Sequence, residues 1–350
     1  MPQANVFRIF FSYIRFVLGI TNLRLWFKIT RREKIIPTRK FSPLLFTNLD
    51  WRHFAANYAY MTNNTKTATV IGLGAMGSVL AALLLKNGYQ VTVWNRSADK
   101  AAALVQQGAT LAQDVASAVA ASSVIIVCVA DYATTEQLLD QPEVRQALKN
   151  KTLVQLSTGT PEAGRKAAAW AAGHGIHYLD GAILATPPQM GRPDTTIFLS
   201  GNAAAYTQSE AVLKALGGNL LLMGDDAGVA SAWDFALLST LFGAITGFLH
   251  GMRISQAERI PEAAFNHLVS QMWPALGEMI RDSGDKIVAK DHSQPQSSVK
   301  TCAAGADMLI AHARETGIDT HFPGLLQTLF KKAMDAGFSD EQVSAVIKVM

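Results

Sequence analysis

The chain has 350 residues, of which 49% are hydrophobic and 17% charged. That length suits two domains with a sizeable core, and that composition excludes wholesale disorder. The net charge of +4 is unevenly placed. Residues 1–60 hold ten Lys/Arg against two Asp/Glu, whereas the other 290 hold 21 against 25. The basic surplus belongs to the N-terminal segment and is no argument for a nucleic-acid partner. The two cysteines, Cys128 and Cys302, are too few for a disulfide scaffold; they suit a reducing compartment, and we expect a cytoplasmic protein.

Residues 1–60 are rich in aromatics and studded with Arg and Lys. Arg8, Arg15 and Arg24 interrupt every candidate span there, so no firm membrane span is expected. Three readings stay open: an upstream region joined to a coding start at Met61, a basic aromatic arm that associates with surfaces, or a folded cap. We treat this stretch as an N-terminal extension outside the fold argument.

From Lys66 strands and helices alternate. Strands are predicted at 67–72, 90–94, 124–129, 152–156, 177–179, 195–199 and 219–222, with a short strand and helix within 109–120. Helices are predicted at 75–87, 97–107 (capped by Ser97) and 203–216. This alternation implies an α/β Rossmann domain, doubly wound on a mostly parallel sheet, over residues 61–226. Residues 227–259 read as a long interdomain helix. Val229 to Arg259 is apolar almost throughout; a helix apolar all round must be buried on every side, and a long one at a domain junction suggests burial between two domains or two subunits. Residues 260–350 read as an all-α C-terminal domain, with helices at 261–280, 297–316, 323–336 and 339–350.

Gly72-Leu73-Gly74-Ala75-Met76-Gly77 fits G-x-G-x-x-G. It follows a predicted strand and opens a predicted helix, which is the context a dinucleotide site requires. Gly72 permits the tight turn, Gly74 lets the backbone approach a pyrophosphate, and Gly77 allows close helix–strand packing. The end of the second strand reads Asn95-Arg96-Ser97, without the Asp or Glu that accepts the ribose hydroxyls of NAD. Donors and a fixed positive charge suit a 2′-phosphate, so the expected cofactor is NADP(H). Beyond the carboxyl ends of two later strands lie Val129-Ala130-Asp131-Tyr132 and Leu156-Ser157-Thr158-Gly159-Thr160. Val129, Thr158 and Thr160 are therefore candidate cofactor contacts, although each segment could equally be a helix-capping turn.

Asp234 is the candidate catalytic group. A carboxylate in an apolar helix is costly unless paired or protonated, and burial raises its pKa toward that of an acid useful near neutral pH. A partnered structural Asp is the competing reading. Trp233, Phe242, Met272 and Trp273 could wall an apolar substrate pocket or simply pack a core. The eight histidines show no metal-ligand spacing, so no metal is expected.

With these motifs in hand, residues 66–350 resemble the NADPH-dependent imine reductases and reductive aminases, relatives of the β-hydroxyacid dehydrogenases. The resemblance runs through IGLGAMG, VWNRS, LSTGTP, the Asp180–Pro188 segment DGAILATPP, WDFALL and the tail TGIDT. It implies hydride transfer to an imine or iminium carbon, with Asp234 stabilising or protonating the nitrogen. β-Hydroxyacid dehydrogenases carry a Lys six residues after the glycine that corresponds to Gly228, and an Asn four residues later. Here those positions are Asp234 and Leu238, which disfavours a carbonyl/alcohol oxidoreductase without removing it, or a non-catalytic NADP(H)-binding redox sensor, from consideration. Many relatives carry Tyr where this chain has Phe242, which puts reductive amination and stereochemical preference in doubt. The resemblance also implies a homodimer with exchanged helical domains acting on a small-molecule imine or amine.

Overall fold

The computed structural model describes residues 66–350; the readings of residues 1–60 and of Met61 lie outside the described residues. An eight-stranded sheet carries the order β3-β2-β1-β4-β5-β6-β7-β8. Its strands are β1 (Thr67–Ile71), β2 (Gln90–Trp94), β3 (Thr110–Leu111), β4 (Val124–Val127), β5 (Thr152–Gln155), β6 (His177–Leu184), β7 (Thr196–Gly201) and β8 (Asn219–Leu222). Every neighbouring pair is parallel except β6–β7. A parallel return needs a crossover, usually a helix. The β6–β7 link holds only the single 3-10 turn Pro187–Gln189, so β7 folds straight back.

Adjacent strand residues point to opposite faces, and the two cores follow that period of two. Val70, Ile126 and Val154 pack with Leu80 and Leu84 of α1 (Ala75–Lys86) and Leu213 of α7 (Ala203–Lys214). Ile71, Ile125, Val127 and Leu153 pack on the other face. There they meet Val119 of α3 (Val115–Ala120), Leu139 of α4 (Tyr132–Leu139), Leu148 of α5 (Pro142–Leu148) and Ala171 of α6 (Pro161–Gly173). Strands apolar on both faces are what a doubly wound sheet demands.

Several elements differ from the sequence expectation. β6 runs to Leu184, five residues past the predicted end. A Cβ on Gly181 would stand 2.7 Å from Leu156 Cδ2, so the glycine serves close packing inside the strand. The region after β2 is a 3-10 turn, Ala98–Ala101, followed by α2 (Ala102–Gln106), and Ser97 makes no side-chain cap bond. The last segment is a 3-10 helix, Val343–Val349, and not an α-helix from Ser339. Its approach is held by long-range backbone bonds: Val299 N–H donates to Glu341 O, Gln342 N–H to His292 O and Val343 N–H to Ser297 O, all at 2.9 Å.

The long helix α8 (Gly228–Ala257) has 30 residues, about 45 Å of rise. Within one chain the helix is covered only in part. Its buried residues are Gly228, Ala230, Ser231, Asp234 and Ser255. Phe242 and Leu249 are 58% and 55% exposed. By length and composition alone α8 could cross a membrane. Helix α9 (Glu262–Ala289) extends nine residues past the predicted end at Ile280, supported by a Lys286–Asp282 ion pair at 2.8 Å, and none of its residues is buried. Helices α10 (Val299–Thr316) and α11 (His321–Asp335) complete the helical part.

Candidate active site

At the carboxyl end of β1 the chain turns through Gly72 at φ +97°, where a Cβ would lie 2.3 Å from the Cys128 carbonyl oxygen. A Cβ on Gly77 would lie 2.0 Å from the Gly72 carbonyl oxygen. Both glycines are thus required by the turn itself. Around Gly74 nothing stands within 4 Å of an added Cβ, and no side chain caps α1, which leaves its first N–H groups free for an anion. Gly72, Gly74, Ala75, Met76, Gly77, Asn95, Arg96, Ser97 and Val129 line one cavity of about 590 Å³. Leu73 is buried behind it.

Asn95 Oδ1 accepts from the Leu73 N–H at 2.9 Å and its Nδ2 donates to the Ser97 carbonyl at 2.9 Å. The amide therefore ties the glycine turn to the end of β2. Lys100, in the 3-10 turn that follows Ser97, also lines the cavity and was not singled out from the sequence. Two cations and no carboxylate line this cavity. That donor set fits the 2′-phosphate of NADP(H) and would repel nothing in it.

Thr158 and Thr160 are exposed and lie outside the lining of that cavity. Thr160 Oγ1 accepts from the Ala163 N–H at 3.1 Å as the N-cap of α6, in keeping with the capping reading. Val129 N–H donates to Ser157 Oγ at 2.9 Å, joining the two sheet-end turns.

Asp234 lies on the second turn of α8 and is 7% exposed. It forms no hydrogen bond with the described residues, so the partnered structural reading has no support there. Burial alone pushes its carboxyl above the ordinary range. Trp233 lies against Phe198, their rings 6.1 Å apart. Trp273 lines an apolar groove of about 820 Å³ between α8 and α9, with Phe248, Phe265 and Leu276. Phe242 and Met272 are exposed in the single chain. The four expected pocket residues thus do not close into one pocket with Asp234 within one chain. Among the described residues no three His, Cys, Asp or Glu side chains gather as a metal site.

A second carboxyl was not singled out as a site residue from the sequence. Asp180, on β6, is fully buried and accepts from the Tyr178 hydroxyl at 2.9 Å, the Ser231 hydroxyl at 3.0 Å and the Tyr132 hydroxyl. Burial raises its pKa to about 6, against the lowering effect of those three donors.

Residues 67–224 match the NAD binding domain of 6-phosphogluconate dehydrogenase, and residues 226–350 match the C-terminal domain of NADPH-dependent reductive aminase-like proteins. The chain is 34% identical, over 81% of its length and 97% of the relative, to an NADPH-dependent reductive aminase of Aspergillus oryzae. The chain belongs to the imine reductase and reductive aminase family. An imine reductase from Myxococcus stipitatus in complex with NADP+ superposes with a TM-score of 0.78 at 36% identity, over 81% of this chain and 99% of that one. A reductive aminase from Aspergillus terreus, in complex with NADPH4, cyclohexanone and allyl amine, gives 0.76 at 34% identity over the same shares. The family assignment expected from IGLGAMG, VWNRS, DGAILATPP and WDFALL is therefore correct, as is the expected Rossmann domain with its long helix and helical C-terminal part.

Proposed function

We infer that this chain is an NADPH-dependent oxidoreductase that reduces the C=N bond of imines or iminium ions to amines. The observation that carries this reading is Asp234, buried and without a partner among the described residues of a family whose members reduce imines. NADPH, when bound, supplies a hydride from nicotinamide C4. Arg96 and Lys100 would hold its 2′-phosphate, and Gly72 to Gly77 with the N-terminus of α1 would hold its pyrophosphate.

Asp234 acts on the nitrogen. When protonated it donates a proton to the nitrogen; once ionised it stabilises the iminium that accepts hydride at carbon. A ketone reduction would instead need a donor to a developing alkoxide, and no Lys stands at residue 234 to serve as one. Trp233, Phe242, Met272 and Trp273 supply apolar surface that excludes water once it is covered. Phe242 has no hydroxyl to orient an amine, so preformed imines are the preferred substrates over ketone and amine pairs.

The cover we propose is a second copy of this chain. The exposed apolar side chains of α8 and α9, among them Leu241, Phe242, Ile245, Leu249, Leu268 and Trp273, form a surface too apolar to face water. In a homodimer with exchanged helical domains, α8 would join the Rossmann domain of residues 61–226 to the helical domain of residues 260–350, and each site would draw on both chains. The two unpaired thiols, Cys128 and Cys302, support a cytoplasmic location.

The test is NADPH oxidation with a panel of cyclic imines. The wild type should turn them over, and Asp234→Ala should lose at least about 100-fold in kcat while binding NADPH normally. Equal rates in the two proteins would refute the role of Asp234. Robust oxidation of a hydroxyacid with no imine turnover would refute imine reduction itself.

A further inference from the structure

Asp180 has no part in the chemistry above, yet it is wholly enclosed and sits where three separate segments meet. On β6 it lies directly beside Ser200 of β7. Both side chains reach the start of α8. Asp180 Oδ2 accepts from Ser231 Oγ at 3.0 Å. Ser200 Oγ donates to the Ala227 carbonyl and accepts from the Ala230 N–H, each at 3.0 Å. Gly164 of α6 closes the site from the side: a Cβ there would stand 3.0 Å from the Ala227 carbonyl oxygen and 3.1 Å from Asp180 Oδ2. Ser231 and Asp234 are three residues apart and therefore share one face of α8. Both are buried, at 3% and 7% exposure.

The other carboxylate oxygen faces the cofactor side. Oδ1 accepts from Tyr132, the first residue of α4, and from Tyr178. Val129, Ala130 and Thr134, which flank Tyr132, line the cofactor cavity. The Tyr132 ring is seated against Gly159, where a Cβ would be 2.2 Å from Tyr132 Cδ2. One carboxyl thus bonds at once to the turn that borders the cofactor and to the helix that carries Asp234.

We propose that Asp180 is a positioning residue: with Ser200 it clamps the first turn of α8 to the sheet, and through Tyr132 it ties that clamp to the turn lining the cofactor cavity, which fixes where the Asp234 carboxyl stands. The geometry makes the clamp consequential. A slip of one residue rotates an α-helix by about 100° and translates it about 1.5 Å. Either movement would carry Asp234 off the reacting nitrogen. This inference rests on the imine-reducing role of Asp234, so its test has one arm that needs no turnover.

The first arm is amide hydrogen exchange by mass spectrometry on the full chain with saturating NADPH. In Ser231→Ala and in Asp180→Asn, the peptide covering 226–240 should exchange about ten-fold faster than in the wild type, with the 67–80 peptide unchanged. Unchanged exchange at 226–240 would overturn the clamp, whether or not any imine is reduced. The second arm is a double-mutant cycle in imine turnover. Ser231→Ala should lower kcat about ten-fold with the KM for NADPH unchanged, and should have almost no further effect in an Asp234→Ala background. Additive losses, or a fall in thermal stability with kcat intact, would overturn the link to Asp234. A wild type inert toward imines would instead refute the proposed function, leaving the exchange arm to decide the clamp.

Discussion

Asp180 and Asp234 are both buried carboxyls, but their surroundings set them to different work. Asp180 spends both oxygens on three hydroxyls, whereas Asp234 keeps its own free of the described residues. Asp180 also makes a clean pH prediction. Its folded pKa is raised to about 6, above the ordinary 3.8, so its contribution to stability is full below about pH 4 and is lost as pH rises through 6. That shift corresponds to at most about 3 kcal/mol. In urea titrations, the wild type minus Asp180→Asn difference in unfolding free energy should fall by up to that amount between pH 4 and 7, where a flat difference would disprove the assignment. At the other end of the site, Arg96→Ala with Lys100→Ala should raise the KM for NADPH about 10- to 100-fold and leave that for NADH nearly unchanged, since only the former carries the 2′-phosphate.

At the scale of elements, the glycine turn was legible because its logic is local. Gly72, Gly74 and Gly77 are fixed by spacing along a single strand–turn–helix unit, and all three line one cavity. Gly77→Ala should therefore cost about 1–3 kcal/mol in thermal unfolding and weaken NADPH binding, because its Cβ would collide with the backbone at Gly72. The bonds of Asn95 were not legible, since only the fold shows that both ends of its amide are taken by backbone groups. The Asp180 cluster was hidden because its members, at 132, 178, 180 and 231, are brought together by three different elements. The end of the chain was misread for the same reason. The 339–350 segment has helical periodicity, yet its backbone is claimed by residues 292–299.

For the whole molecule, the sequence announced a helix that must be covered, and the single chain leaves it bare. Light scattering should report about twice the 37.7 kDa chain mass. Leu249→Arg, on the exposed face of α8, should shift the protein toward monomer and abolish imine turnover, while NADPH binding to the intact Rossmann cavity persists. A monomeric wild type with full activity would exclude the shared site.

The bare flank of α8 has one more consequence. If each pocket is assembled from two chains, the machine exists only as a pair, whereas its cofactor cradle exists in every chain. Dilution would then switch off chemistry long before it released the nucleotide. Two differently crippled chains, one lacking the Asp234 carboxyl and the other its Trp273 wall, would on pairing build one sound pocket beside one doubly broken one. Such a pair would recover by partnership an activity that neither chain owns alone.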